Sequence, residues 1–468
     1  MELDGNARRS VGLNRPPQGR SFGGRRFQNG PGRSQPEVPG LATRRVAARL
    51  VDGVLSRTRS LDASLEIEHD PCGFRALDER DRALARAIAG VTLRRLGTLR
   101  TLVAGKLEKG LPKKGGLLEA ILVTGAAQAL YMQVPAHTAV DLAVATARAD
   151  PDARHFAGLA NAVLRGIVAD GAPPETPGAD VPGWLYARWT RTYGPEAAAR
   201  IAESVGAEPA LDLSVKAEPE QWATRLGGVA LPTGTVRLVA SGLVSALEGF
   251  SEGAWWVQDA AAALPARLLG DIEGLRVIDL CAAPGGKTAQ LAAAGAEVVA
   301  VDKSAERLMR LSQNLARLGL SAATTVADAA TLSAEPADAV LLDAPCSATG
   351  TTRRHPDVGW LKRESDIAGL ARVQAQLLDS AVRLVKPGGL LVYCVCSLEP
   401  EEGERQIDAL LTRNPRVHVV PARPEELPGV EEAIDPSGYV RTLPFHFPHE
   451  DRRLAGCDGF FAARLRVG

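Results

Sequence analysis

Two cysteines, Cys346 and Cys396, have a placement that suits chemistry. Each lies just past a short apolar run that reads as a buried strand: Asp338-Ala339-Val340-Leu341-Leu342-Asp343-Ala344-Pro345-Cys346 and Gly389-Leu390-Leu391-Val392-Tyr393-Cys394-Val395-Cys396-Ser397. In an open α/β sheet, ligands bind outside the carboxyl ends of the strands. Two thiols delivered there, close to a glycine-rich turn at Cys281–Thr288, point to a reaction centre rather than to core filling. A cysteine thiolate is a strong carbon nucleophile near neutral pH once its pKa falls below the free value of about 8.5. A cysteine at a strand end is otherwise most often buried structure, and Cys394 and Cys72 are read that way. The Cys394-Val395-Cys396 pair lacks the second pair that a zinc set needs, so no metal is expected.

The first strand of this region ends at Asp279 and leads into Cys281-Ala282-Ala283-Pro284-Gly285-Gly286-Lys287-Thr288. Three nucleotide-binding readings compete for this turn. A dinucleotide fingerprint requires Gly-x-Gly-x-x-Gly, which is absent. A P-loop requires a glycine five residues before the Gly-Lys-Thr, and Cys281 stands there, although Ala339–Asp343 imitates a Walker B strand. The third reading is S-adenosylmethionine, a methyl donor that packs against a glycine turn after the first strand. An acid ending the second strand then takes the ribose hydroxyls, and Asp302 stands sixteen residues after Gly286. Asp328 follows the third strand candidate, where an acid accepts from the adenine amino group. Acids at successive strand ends fit a methyl donor better than a nucleotide whose phosphates they would repel. Lys287 either lines this site or solvates a helix start.

The elements that must position these residues alternate regularly. Strand candidates are 275–280, 297–302, 322–326, 338–343 and 389–395, with helices at 304–318 and 367–385, the last ended by Lys386-Pro387-Gly388-Gly389. Such alternation means a mostly parallel sheet with helices on both faces, and 458–465 reads as a late strand joining it. Upstream, 43–168 is helical throughout. Val46, Leu50 and Val54, then Leu84, Ile88 and Val91, then Leu118, Ile121 and Leu122 recur at three- and four-residue spacing. Pro173, Pro174, Pro177 and Pro182 mark a linker at 170–183. A small α/β region follows over 184–270, with a strand candidate at 211–216.

Residues 1–42 are rich in Gly, Pro and Arg and poor in apolar side chains, so they are expected to be a disordered basic tail. Its arginines would either contact a nucleic acid or simply aid solubility. The 468-residue chain has 45% apolar residues, enough for a sizeable core, and only 4% aromatics. No apolar run of about 18 residues suggests a membrane span, and the arginine-rich start argues against a secretory signal. Six scattered cysteines are not a disulfide framework, which favours a reducing, cytoplasmic setting. Formal net charge is zero, so any nucleic-acid affinity must come from local patches. Arg82, Arg86, Arg94, Arg95, Lys113 and Lys114 in the helical part are one such patch, or an ordinary solvated face.

The chain closely resembles the RNA cytosine-5 methyltransferases, within them the bacterial RsmB/Sun-type ribosomal-RNA branch. The resemblance rests on the Asp279–Thr288 motif, on Asp343-Ala344-Pro345-Cys346-Ser347-Ala348-Thr349-Gly350, on Arg353-Arg354-His355-Pro356-Asp357, and on Cys396-Ser397 followed by Pro400-Glu401-Glu402. The helical part, including Asn161-Ala162-Val163-Leu164-Arg165, resembles the NusB-type RNA-binding domain of this branch. The resemblance implies a multidomain protein: tail 1–42, an all-α NusB-like domain at 43–169, linker 170–183, middle region 184–270, and a Rossmann-like methyltransferase domain at 271–468. It implies Cys396 as nucleophile and Cys346 as the thiol that releases product. Val395 replaces the threonine usual before the nucleophile, losing a hydroxyl but not the thiol. Cys281, Ala282, Ala283, Pro284, Gly285, Gly286, Lys287, Asp302, Asp328 and Asp343 would line the S-adenosylmethionine site, and Asp343 would lie beside Cys346. His355 is read as structural or RNA-positioning. The implied substrate is small-subunit ribosomal RNA. Alternatives are another RNA such as tRNA, a non-catalytic assembly factor, and a P-loop ATPase. No obligate protein partner is implied.

Overall fold

The computed structural model describes residues 38–468 apart from 67–69, 71 and 240–241, so the arginines of the amino-terminal segment lie outside the described residues. The first helix, α1 (Leu41–Leu55), starts two residues before Thr43 and buries Val46, Leu50 and Val54 on one face. It is followed by α2 (Leu61–Glu66), α3 (Glu79–Arg94), α4 (Leu96–Gly105), α5 (Leu118–Tyr131), α6 (Ala136–Ala149) and α7 (Ala157–Asp170). Helix α3 is started by Asp78, whose carboxylate accepts from the Asp81 N–H at 2.8 Å. Helix α5 is buried over most of its circumference, as its run of Ile121, Leu122, Val123, Ala126 and Ala127 requires, and forms the centre of the bundle.

The proline-rich stretch after α7 is tied down rather than loose. Asp180 accepts from the Thr98 N–H at 2.8 Å and faces Arg95 at 3.5 Å. Helix α8 (Gly183–Val205) follows, broken at Gly194, whose φ of 84° leaves the helical region just before Pro195. Then come β1 (Leu211–Val215), α9 (Pro219–Leu226), β2 (Val229–Ala230), β3 (Thr235–Leu238) and β4 (Trp255–Val257). They form a separate antiparallel sheet in the order β2-β3-β1-β4. Across β1 and β3, Arg237 and Asp212 form a buried two-pronged ion pair with both contacts at 2.7 Å.

Helix α10 (Ala260–Arg267) leads into the main sheet: β5 (Arg276–Leu280), α11 (Gly286–Ala293), β6 (Glu297–Asp302), α12 (Ala305–Leu318), β7 (Ala323–Val326), β8 (Ala337–Asp343), α13 (Val358–Leu361), α14 (Glu364–Arg383), β9 (Val385–Val395), α15 (Glu404–Arg413), β10 (Val417–Val419), β11 (Val440–Thr442) and β12 (Phe460–Val467). The order is β10-β12-β9-β8-β5-β6-β7, with β11 beside β12. Strands β5 to β9 are mutually parallel, and β12 inserts antiparallel to β9. Alternate residues serve opposite faces. Ile278, Leu280, Val340, Leu342, Leu391 and Tyr393 pack with Leu377, Leu378 and Ala381 of α14. Val277, Ala339, Leu341, Val392 and Cys394 pack with Ala260, Ala261 and Leu264 of α10. Burial on both faces explains why these strands read as continuous apolar runs.

The expected strands are matched to within a residue except β12, which lies two residues later than expected, and β9. Its pairing jumps from Ala337–Val385 to Ala339–Leu390, so Lys386-Pro387-Gly388-Gly389 bulges from a strand already begun. Sheet order reverses between β5 and β8, and that switch point is where an open α/β sheet forms its ligand crevice.

Candidate active site

Three loops converge beyond the carboxyl ends of β5, β8 and β9. The β8 and β9 loops bring the two expected thiols together, with Cys346 Sγ 3.4 Å from Cys396 Sγ. The backbone enforces this approach. Ala344 N–H donates to Cys394 O at 3.0 Å, and Gly350 N–H donates to Cys396 O at 3.1 Å. Gly350 is a steric requirement, because a Cβ there would lie 1.8 Å from Gly459 O. Thiol contact with Cys396, together with burial, holds the Cys346 thiol well above its ordinary pKa.

The β5 loop crosses the switch point. Gly285 has φ of 104°, and a Cβ there would meet Leu311 at 2.7 Å. Asp302, almost wholly buried at the end of β6, accepts from Ala283 N–H at 3.2 Å and Ser304 N–H at 2.9 Å, so it shapes the loop it borders. Asp328 follows β7 and is exposed, its carboxylate accepting from Ala330 N–H at 2.9 Å. Lys287 is buried and does not merely solvate a helix start. Its ammonium pairs with Asp343 at 2.8 Å and lies 4.8 Å from the Phe460 ring centre. Burial pulls its pKa down, but Asp343 outweighs this and the group remains charged. The other Asp343 oxygen faces Cys394 Sγ at 3.7 Å.

This donor set suits a cationic ligand. Asp279 is fully buried at the end of β5. One carboxylate oxygen accepts from Thr288 Oγ at 2.6 Å, and the other has no hydrogen-bond partner. Burial pushes its pKa up to about 7. A positively charged donor beside that oxygen would satisfy it, as a triphosphate could not. Lys287, already bound to Asp343, is not reaching for phosphate either. Burial, with Asp343, Asp302 and Asp279 nearby, pushes Cys281 up to about 12, so this third thiol is not a competing nucleophile.

The sequence shows Glu402 and Arg353-Arg354-His355-Pro356-Asp357 only as motif residues and does not reveal what they touch. Asp357 accepts from Leu61 N–H at 2.9 Å, and His355 Nδ1 lies 3.0 Å from Asp62. Arg94 of α3 donates to Arg353 O, while Trp360 and Leu361 pack on the helical core. The helical bundle is thus docked on a loop beside the thiols. The signal was the motif itself, since a rigid loop rich in charge needs partners on both sides.

A mostly parallel sheet with a switch-point glycine turn and strand-end acids is the frame of an S-adenosylmethionine-dependent methyltransferase. Residues 266–466 match the family described as 16S rRNA methyltransferase RsmB/F, and residues 41–169 match the NusB family. The ribosomal RNA small subunit methyltransferase B of Xanthomonas campestris pv. campestris is 37% identical over 444 residues, covering 91% of this chain and 97% of that protein. The protein of the same name from Vibrio cholerae serotype O1 is 37% identical over 423 residues, covering 84% and 96%. In fold, the crystal structure of PH0851 has a TM-score of 0.71 at 23% identity, covering 92% of this chain and all of that one. The chain belongs to the RsmB/F family of 16S rRNA methyltransferases and carries a NusB-family domain ahead of the catalytic one.

Proposed function

We propose that this protein methylates C5 of a cytosine in small-subunit ribosomal RNA, with Cys396 as nucleophile and Cys346 as the thiol that serves product release. The observation that carries this reading is the 3.4 Å contact between two thiols on adjacent parallel strands, beside the glycine turn. Cytosine C5 is too weak a nucleophile to accept a methyl group unaided. Addition of the Cys396 thiolate to C6 makes C5 enamine-like and able to take up a methyl group; once C5 carries it, a base removes the C5 proton, the C5–C6 double bond reforms and the thiolate leaves. S-adenosylmethionine, when bound, supplies an electrophilic methyl group. Asp279, Asp302, Asp328, Asp343 and the 281–287 loop are the residues proposed to hold it, and Lys287 fixes the Asp343 carboxylate at the border with the thiols.

The target cytosine must be unstacked, because C6 is unreachable inside a duplex. We assign RNA holding to residues 43–169 and chemistry to 271–468, joined through 170–183 and the middle region 184–270. The shared name of the relatives supports small-subunit ribosomal RNA over tRNA. Among the described residues no helix is long and apolar enough to cross a membrane, and the proposed setting is the cytoplasm, where reduced thiols persist. Bisulfite sequencing of ribosomal RNA from a deletion strain tests the substrate. One small-subunit cytosine should lose protection, and an unchanged pattern would contradict the proposal.

A further inference from the structure

Glu402 lies six residues beyond Cys396 and is completely buried. All four partners of its carboxylate are neutral donors. One oxygen accepts from the Ser347 N–H at 2.9 Å and the Gln374 amide at 3.0 Å. The other accepts from the hydroxyls of Ser347 and Ser397, the latter at 2.6 Å. Ser347 follows Cys346 in the chain, and Ser397 follows Cys396. The two hydroxyls are also 3.1 Å from each other. One carboxylate therefore ties together the two loops that carry the thiols.

The surroundings hold Glu402 in turn. Its own carbonyl accepts from the Tyr393 hydroxyl at 2.6 Å, which fixes it to β9. Gln374 of α14 also donates to Pro345 O at 3.0 Å, which fixes the other loop to the same helix. A buried carboxylate is costly, and here no cation offsets it, only hydrogen bonds. An apolar side chain would fill the same space at less electrostatic expense but could not bind the Ser347 N–H.

We propose that Glu402 is a positioning residue for the thiol pair: by binding the residues next to Cys346 and Cys396, it sets the distance between the two sulfurs. This rests on the reading of that pair as the catalytic centre, but the spacing itself can be measured without catalysis. Glu402 touches neither the reacting base nor the methyl donor in this scheme. Its loss should lower turnover while leaving the binding of either substrate nearly intact.

The test uses the full-length protein with Glu402→Ala, Glu402→Gln and Glu402→Asp. Without RNA, the thiol oxidant diamide converts two adjacent thiols to a disulfide, read as the Cys346–Cys396 linked peptide by mass spectrometry. Wild type should form it readily, and Glu402→Ala at least tenfold more slowly. With RNA, Glu402→Ala should lower kcat at least a hundredfold with KM for RNA and donor within threefold. Glu402→Gln keeps one acceptor for the Ser347 N–H and lets the serine hydroxyls turn to accept, so it should recover at least tenfold in both assays. If Glu402→Ala does not fold, Glu402→Asp, with the same charge and shorter reach, should show the slower cross-linking. Cross-linking within twofold of wild type in the folded variant would overturn the proposal, as would a rise in KM with kcat unchanged. A wild-type protein that cross-links as expected but methylates no RNA would instead refute the proposed function and leave the spacing role standing.

Discussion

At the scale of the residue, position in the fold rather than identity divides the cysteines. Cys394 is sealed in the sheet, Cys281 is pushed to about 12, and only Cys346 and Cys396 meet at the strand ends. Asp279 gives the clearest pH prediction. Its folded pKa of about 7 is raised above the unfolded value of 3.8, so folding takes up a proton between these values. Stability conferred by the neutral carboxyl is full below the unfolded value and is lost as pH rises toward 7. Asp279→Asn, which cannot titrate, should therefore gain thermal stability relative to wild type as pH increases from 4 to 7, with the gap constant above that. Melting curves across that range check it, and a gap that shrinks with rising pH would contradict it. Asp302 is tested by donor binding. Asp302→Ala should weaken S-adenosylmethionine by roughly 1.5–3 kcal/mol, the scale of a hydrogen bond to a charged group. Calorimetric affinity equal to wild type would move the ribose contact elsewhere.

At the scale of the element, legibility followed the physics of each segment. The central parallel strands β5, β8 and β9 were readable because burial on both faces demands runs of Val, Ile, Leu and Ala, and the helix after β6 because polar caps such as Ser304 bound it. The middle sheet was mostly hidden. Strands as short as Val229–Ala230 show no period, and the ion pair of Asp212 with Arg237 reads in sequence as two unrelated charges. The thiols were visible because each sits in its own motif. Glu402 was not, because its meaning comes from two serines fifty residues apart that only the fold brings together. The β8 loop offers an element-scale prediction. Gly350→Ala must push a methyl group into the Gly459 carbonyl, and overpacking of this kind costs about 1–3 kcal/mol. The variant should melt earlier, and its kcat should fall because the same loop carries Cys346. A melting temperature and kcat equal to wild type would mean that the β12 approach yields easily.

At the scale of the whole molecule, the helical bundle and the methyltransferase sheet meet on the active-site loop rather than hanging from a linker. Arg94 spans this junction, donating to Val205 O, Ala207 O and Arg353 O, and burial pushes its pKa down to about 10. Sequence could not reveal this, since its charge looked like part of a solvated basic face. Arg94→Met should leave the part-buried Val205 and Arg353 carbonyls without this donor, at about 1–3 kcal/mol. It should lower methylation of ribosomal RNA while S-adenosylmethionine affinity stays unchanged; equal activity on RNA would show that docking does not shape the catalytic loop. In the proposed mechanism this protein joins itself to its RNA through Cys396 and is released with the help of Cys346. The direct measurement incubates full-length Cys346→Ala with S-adenosylmethionine and small-subunit ribosomal RNA, then resolves the mixture on a denaturing gel and maps the linked peptide. A stable protein–RNA adduct at Cys396, absent in the Cys346→Ala, Cys396→Ser double variant, is the predicted result; an adduct that forms through Cys346 when Cys396 is serine would contradict it.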